Sequence, residues 1–251
     1  MIAPLKPAII GHRGASVDAP ENTLAAFRLA LEQGADGVEL DAKLTADGHV
    51  VVIHDPTVDR TTSGEGKVRE LTLAALQELD AGGWKGPQYA GEKVPTLGEV
   101  FEAVGHQMLI NVELTNYANP GDALLEKVAE LVKQHGVEKN VIFSSFLPNN
   151  ISRIRKLLPE IPAGLLALEG SSGMLSRSFI GRWFSPQMVH PYYTDADRAY
   201  IAREHRRGRQ VNVWTVDEPD DIRRLVMDGA DGIITDNPKL ALQIRANVRQ
   251  A

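Results

Sequence analysis

Residues 211–238 read VNVWTVDEPDDIRRLVMDGADGIITDNP, and this stretch decides the fold. The apolar run at 211–216 reads as a strand, 218–228 as a helix, and GIIT at 232–235 as the next strand. Between that helix and strand stands Gly-Ala-Asp-Gly, residues 229–232. The same four residues recur at 34–37, again between a helix end and a strand start, where Gly34 can take the left-handed conformation that stops a helix. A strand, a helix and a second strand in succession imply parallel strands joined by a helical crossover.

Outward from this unit the pattern repeats. Strands are predicted at 8–11, 37–44, 108–114, 141–146, 163–168 and 188–192, and helices at 22–33, 121–135, 149–158, 174–183, 195–207 and 238–248. With the two strands above this makes eight, in 251 residues, the usual size of a (β/α)8 barrel, the TIM barrel of the α/β class. Asp47–Gly48 predicts a hairpin turn between strand two and an extended piece at 50–54. Residues 55–98 break the rhythm, being crowded with turn formers around one clear helix at 73–80. They read as an insertion after strand two, too small for an independent core and placed to cap the barrel mouth. The chain, 1–251, reads as a single domain.

Composition removes several classes of function. Hydrophobic residues make up 43% and charged ones 24%, an ordinary globular balance. With no cysteine there are no disulfides, thiol nucleophiles, thiolate zinc sites or iron–sulfur clusters. Thirty-three acidic against 27 basic side chains leave a net charge of −6, which disfavours a dedicated nucleic-acid binder but not a small phosphate-bearing ligand. The opening MIAPLKPAIIGHRGAS does not read as a signal peptide, and no apolar run approaches the ~20 residues of a membrane span. A soluble cytoplasmic protein is the expectation.

A barrel carries its active site at the C-terminal ends of its strands, which selects the candidates. Strand one runs into Gly11-His12-Arg13-Gly14, where an imidazole and a guanidinium suited to phosphate or carboxylate stand between two glycines. A loop histidine beside a salt-bridged arginine is the plainer alternative. Glu39 and Asp41 share one face of strand two, and Glu113 sits late in the apolar run LINVEL. Buried carboxylates that close require a compensating cation, and three with no thiolate suit one Mg²⁺ or Ca²⁺. Pairing with arginine or lysine is the competing account. His54, leaving VVVIH beside Asp55, is a second candidate acid/base group, although a lone histidine there is more often structural. Lys43 shares the face of Glu39 and Asp41 and offers a cation or a snorkelling side chain. Phe146 and Trp214 read as an apolar wall at the mouth or as core packing. Glu21–Asn22 reads as a helix cap, with a contact to the site as the alternative, Asp236–Asn237 as a cap of the last helix, and the arginines of 203–209 as a solvated helix end, while His190 keeps a strand position that leaves it a candidate.

Taken together and in order, HRGAS…PENTLAAF, GADGVELDAKLTADGHVVVIHDPTVDRTT, NVELT and VNVWTVDEP…GADGIITDNP resemble the glycerophosphodiester phosphodiesterase family over residues 9–238. The resemblance implies a (β/α)8 barrel with a small insertion after strand two. It implies one divalent cation on Glu39, Asp41 and Glu113, His12 and His54 as general acid and base, and Arg13 holding the phosphate. Many members carry lysine two residues after the third carboxylate; this chain has Thr115 there, and Lys43 is the cation placed to compensate. The implied reaction is hydrolysis of a small glycerophosphodiester to glycerol 3-phosphate and an alcohol, as in phospholipid and glycerol metabolism. Attack by water and attack by the neighbouring glycerol hydroxyl, through a cyclic phosphate, both fit. A lysophospholipase D-like activity, a metal-dependent aldolase or isomerase, and a non-catalytic phosphodiester-binding barrel are the other readings. Assembly as a homodimer is left open.

Overall fold

A computed structural model describes residues 7–250; the opening MIAPLK, on which the signal-peptide reading partly rests, lies outside them. The strands are β1 Ala8–His12, β2 Gly37–Leu44, β3 Val50–Val52, β4 Leu109–Leu114, β5 Val141–Ser145, β6 Ala163–Ala167, β7 Met188–Pro191, β8 Gln210–Val213 and β9 Gly232–Thr235. The helices are α1 Leu24–Glu32, α2 Leu73–Glu78, α3 Leu97–Val104, α4 Leu124–His135, α5 Pro148–Leu157, α6 Met174–Arg177, α7 Phe179–Phe184, α8 Arg198–Arg206, α9 Pro219–Asp228 and α10 Pro238–Gln250. Sheet order runs β1-β9-β8-β7-β6-β5-β4-β2, and β1 pairs with β2 to close the ring. The eight strands are parallel throughout, so the fold is the (β/α)8 barrel. Runs such as Ile9–Ile10, Val112 and Phe143 are buried on both faces of the sheet, as strands between a lumen and a helical layer must be.

The Asp47–Gly48 hairpin forms as expected, with Gly48 at φ 78° and β3 antiparallel to the last residues of β2. Because Ala42 also pairs with Leu114, β3 occupies the β2 edge that β1 vacates after His12. The inserted residues hold a small satellite cluster of Val58, Val68, Leu76, Ala81 and Val94 built on Val51 and Ile53. They are tied to the loop after β1, with Lys85 Nζ donating to Ser16 O (2.7 Å) and Tyr89 Oη to Asp18 O (2.9 Å).

Three readings of the sequence change. α3, which returns the chain from β2 to β4, was not anticipated. Thr96 caps it and Glu99 closes a capping box, while Leu97, Val100, Phe101 and Val104 are buried. An insertion boundary set at residue 98 cuts through that signal. The helix expected at 174–183 is two short ones, divided where the Ser178 hydroxyl accepts from Ile180 N and Gly181 N and starts α7. The arginine run is not all solvated: the side chains of Arg209 and Glu204 are fully buried against each other at 2.9 Å, with Arg203 and Arg207 on the second Glu204 oxygen. Three arginines within seven residues fold around one buried carboxylate, which spacing along a helix does not reveal.

Candidate active site

Register assembles the site. β1 pairs His12 with Glu39, and β2 pairs Asp41 with Glu113 on β4, so alternation carries all four toward the lumen at the C-terminal rim. The loop after β1 turns tightly: a Cβ on Gly11 would meet Gly14 O at 2.6 Å, and one on Gly14 (φ 88°) would meet the Ala26 backbone at 2.7 Å. The close approach these glycines allow is the loop's own packing on α1. Arg13 and Asn22 adopt left-handed backbone at φ 56° and 58°, a conformation that costs on the order of 1 kcal/mol or more each for such residues. Site contacts hold them there: Arg13 N donates to Glu39 Oε2 (3.1 Å), Asn22 N to Arg13 O (3.0 Å) and Asn22 Nδ2 to Asp41 Oδ2 (2.9 Å).

Glu39 and Asp41 are buried, and an oxygen from each lies within 4.8 Å of one from Glu113. Burial first, and then the charges of Asp41 and Glu113, push the Glu39 carboxyl well above its usual range. The same two causes, burial and Asp41, bring Glu113 to about 7. Arg13 is the permanent cation in direct contact, with Nε 3.4 Å from Asp41 Oδ2, and its Nη1 is bound to Glu21 (2.8 Å). Three converging carboxylates beside one committed guanidinium, all oxygen donors, fit a hard divalent cation. Lys43 Nζ donates to Thr115 Oγ1 (2.7 Å), which donates onward to Ala42 O. Burial lowers the Lys43 ammonium against the pull of Asp41 and Glu113.

His12 Nδ1 is 2.7 Å from Asp236 Oδ1, and Nε2 is 3.9 Å from Glu39 Oε2. Burial pushes Asp236 up, but the bonds from His12 and Ser16 outweigh it and hold the carboxyl below its usual range, so the ring N–H sits on Nδ1 and Nε2 faces the acidic cluster. His54 is exposed, its Nδ1 2.7 Å from Asp55 Oδ1. A bonded chain runs from there through Arg60 and Glu21 to Arg13: Arg60 Nε donates to Asp55 Oδ2 (2.6 Å), and its two terminal nitrogens donate to Glu21 (2.7 and 2.8 Å). The bond from Arg60, against a smaller burial penalty, holds Asp55 at about 2. His54, Glu21 and Asn22 also line one cavity.

Phe146 and Trp214 pack against each other within a longer row of aromatic rings. Tyr117, Phe146, Trp214 and Tyr192 meet edge to face in sequence, with ring centroids 5.9, 5.4 and 5.5 Å apart. Its inner end touches the cluster, since Tyr117 Oη donates to Glu113 Oε1 at 2.6 Å. Two capping expectations are corrected. Thr23, not Glu21 or Asn22, caps α1, which frees those side chains for Arg13 and Asp41. Asn237 does cap α10, but Asp236 turns to His12 instead. His190 lies fully buried in the lumen beside Met188 and Asn212.

A barrel with an acidic cluster, two carboxylate-held histidines and an arginine at its rim defines a phosphoester-processing enzyme. The glycerophosphoryl diester phosphodiesterase family matches residues 12–240. The glycerophosphodiester phosphodiesterase of Caldanaerobacter subterraneus subsp. tengcongensis is 40% identical over 241 residues, 96% of this chain and 98% of that one. The enzyme of the same name from Bacillus altitudinis is 33% identical, covering 96% and 99%. Among solved structures, an Oleispira antarctica phosphodiesterase in complex with the product sn-glycerol-3-phosphate has 32% identity and a TM-score of 0.86, over 95% of this chain and 96% of that one. The chain belongs to the glycerophosphoryl diester phosphodiesterase family, and it is a phosphodiesterase.

Proposed function

We propose that the enzyme cleaves small glycerophosphodiesters to glycerol 3-phosphate and an alcohol, in phospholipid and glycerol metabolism, with one divalent cation, Mg²⁺ or Ca²⁺, on Glu39, Asp41 and Glu113. The observation that carries this reading is the in-register convergence of those three carboxylates next to His12 and Arg13. The product seen in the Oleispira antarctica relative supports the products assigned. Such a cation, when bound, neutralises charge on the nonbridging phosphate oxygens. Arg13, already aimed across Glu39 and Asp41, gives the phosphate a second positive contact. His12 presents Nε2 with Nδ1–H held by Asp236, the arrangement of a group that takes up a proton and returns it; His54, held by Asp55, is its counterpart. Lys43 supplies the charge that Thr115 lacks, and Phe146 with Trp214 forms the wall against the alcohol or glycerol.

In this reading the chain works as one catalytic unit capped by residues 55–98, located in the cytoplasm, with no nucleic-acid partner and no stable membrane insertion. Cell fractionation tests the location, and light scattering tests whether it forms a homodimer. The chemistry is tested by turnover of glycerophosphocholine, glycerophosphoethanolamine and glycerophosphoglycerol with Mg²⁺, Ca²⁺ or EDTA. Hydrolysis abolished by EDTA and restored by one of the metals is expected. Turnover indifferent to chelation would remove the metal role.

A further inference from the structure

Arg60 belongs to the insertion and not to the barrel, yet it is bonded toward both halves of the site. It stands on a closed turn. The N–H of buried Val58 donates to Gly66 O (2.9 Å), and Thr62 Oγ1 donates back to Val58 O (2.8 Å). From this turn the guanidinium spans two carboxylates carried by different loops. Nη1 and Nη2 donate to the two oxygens of Glu21, on the loop after β1, and Nε donates to Asp55, beyond β3. Three donors in one plane on two carboxylates is a geometry that arginine supplies and lysine does not. An exposed ion pair contributes little by itself, but the Glu21 side chain under this fork is only 13% exposed.

Each carboxylate passes the constraint on. Glu21 Oε1 accepts from Arg60 Nη2 and from Arg13 Nη1, both at 2.8 Å, so two guanidiniums share one oxygen. Asp55 takes Arg60 Nε on Oδ2 (2.6 Å) and has Oδ1 against His54 Nδ1 (2.7 Å), which leaves it no freedom to turn. The charge of Glu21 competes with a phosphate for Arg13, and Arg60 offsets it. Burial pushes the Glu21 carboxyl up, but the bond from Arg60 and the charge of Arg13 outweigh it and keep it ionised. Thr61, the neighbour of Arg60 in sequence, lines the same cavity as His54, Glu21 and Asn22.

We propose that Arg60 is a positioning residue for phosphodiester cleavage, setting Arg13 through Glu21 and His54 through Asp55. The insertion then completes the site as well as capping it. This rests on the phosphodiesterase reading above and deepens it, because a residue outside the barrel governs both the phosphate contact and one proton-transfer group.

The test uses the full-length enzyme, with turnover of glycerophosphocholine and calorimetric binding of sn-glycerol 3-phosphate as separate readouts. Arg60→Gln should keep its circular dichroism, lower kcat by ~10–100-fold and weaken glycerol 3-phosphate by ~3-fold or more. In a His54→Ala background the same change should lower kcat by less than ~3-fold, because the group it positions is gone, while the binding loss persists. Arg60→Lys returns the charge without the fork, so it should recover binding and leave kcat low. A merely structural arginine would lower the urea midpoint and cost kcat equally in both backgrounds. That result, an unchanged kcat in Arg60→Gln, or full recovery of kcat by lysine overturns the proposal. Where Arg60→Gln does not fold, Arg60→Lys with and without His54→Ala carries the same cycle. If the wild type does not cleave glycerophosphocholine, the reaction assignment fails instead, and glycerol 3-phosphate binding still decides the hold on Arg13.

Discussion

His12 and His54 each give one ring nitrogen to a carboxylate at 2.7 Å, which leaves the other nitrogen of each for chemistry. Replacing either with alanine should lower turnover of glycerophosphocholine by ~10²–10⁴ with circular dichroism unchanged, the scale of a lost proton-transfer group. Asp236→Asn keeps the shape but not the charge that holds the tautomer; at least a ~10-fold loss with a displaced pH–rate profile is expected. Near-normal rates in both histidine variants would refute the assignment. Lys43→Ala should raise KM more than it lowers kcat, and adding Thr115→Lys should recover part of the loss, since Thr115 already touches the ammonium. Sequence exposed His12, Arg13, Glu39, Asp41 and Glu113 because strand alternation and a polar residue in an apolar run are local signals. Asp236 lies 224 positions from His12, so no local pattern could assign it to the site.

At the scale of elements, α3 shows how a local signal is lost to a boundary. The Thr96–Glu99 capping box satisfies free amides at the start of the helix that carries the chain back from β2 to β4. Thr96→Ala should cost about 1 kcal/mol, read as a lower urea midpoint with unchanged slope. A shift of the midpoint within error would mean that Leu97, Val100, Phe101 and Val104 hold the helix without its cap. The strands were legible because β-branched runs recur between helix stops. The division of 174–183 at Ser178, whose hydroxyl accepts from Ile180 N and Gly181 N to start α7, was not read from the sequence.

For the whole molecule, closing the ring places His190 in the lumen. Burial, and then the charge of Arg209, brings its imidazole down to about 3 from 6.5. Between those values the unfolded chain binds a proton that the native state refuses. Native stability should therefore fall as pH drops below about 6.5, by about 1.4 kcal/mol per unit from this group. Glu113 works in the other direction without a cation: held at about 7, it stays protonated in the native state where the unfolded carboxyl has ionised, so stability rises as pH falls from 7 toward 4.5. The difference between wild type and His190→Asn, measured by urea unfolding from pH 7 to 4, isolates the histidine. Parallel pH curves would show that His190 takes up its proton without unfolding the barrel.

Sequence alone determined the repeating strand–helix unit, the insertion after the second strand and the acidic, histidine and arginine positions at strand ends. Each of these depends on alternation or spacing over a few residues, which backbone geometry enforces locally. Tertiary structure decided which distant side chains complete them: Asp236 on His12, and Arg60 and Glu21 behind His54 and Arg13. Those partnerships exist because barrel closure brings the loops of one rim within hydrogen-bond reach, and separation along the chain carries no record of that distance.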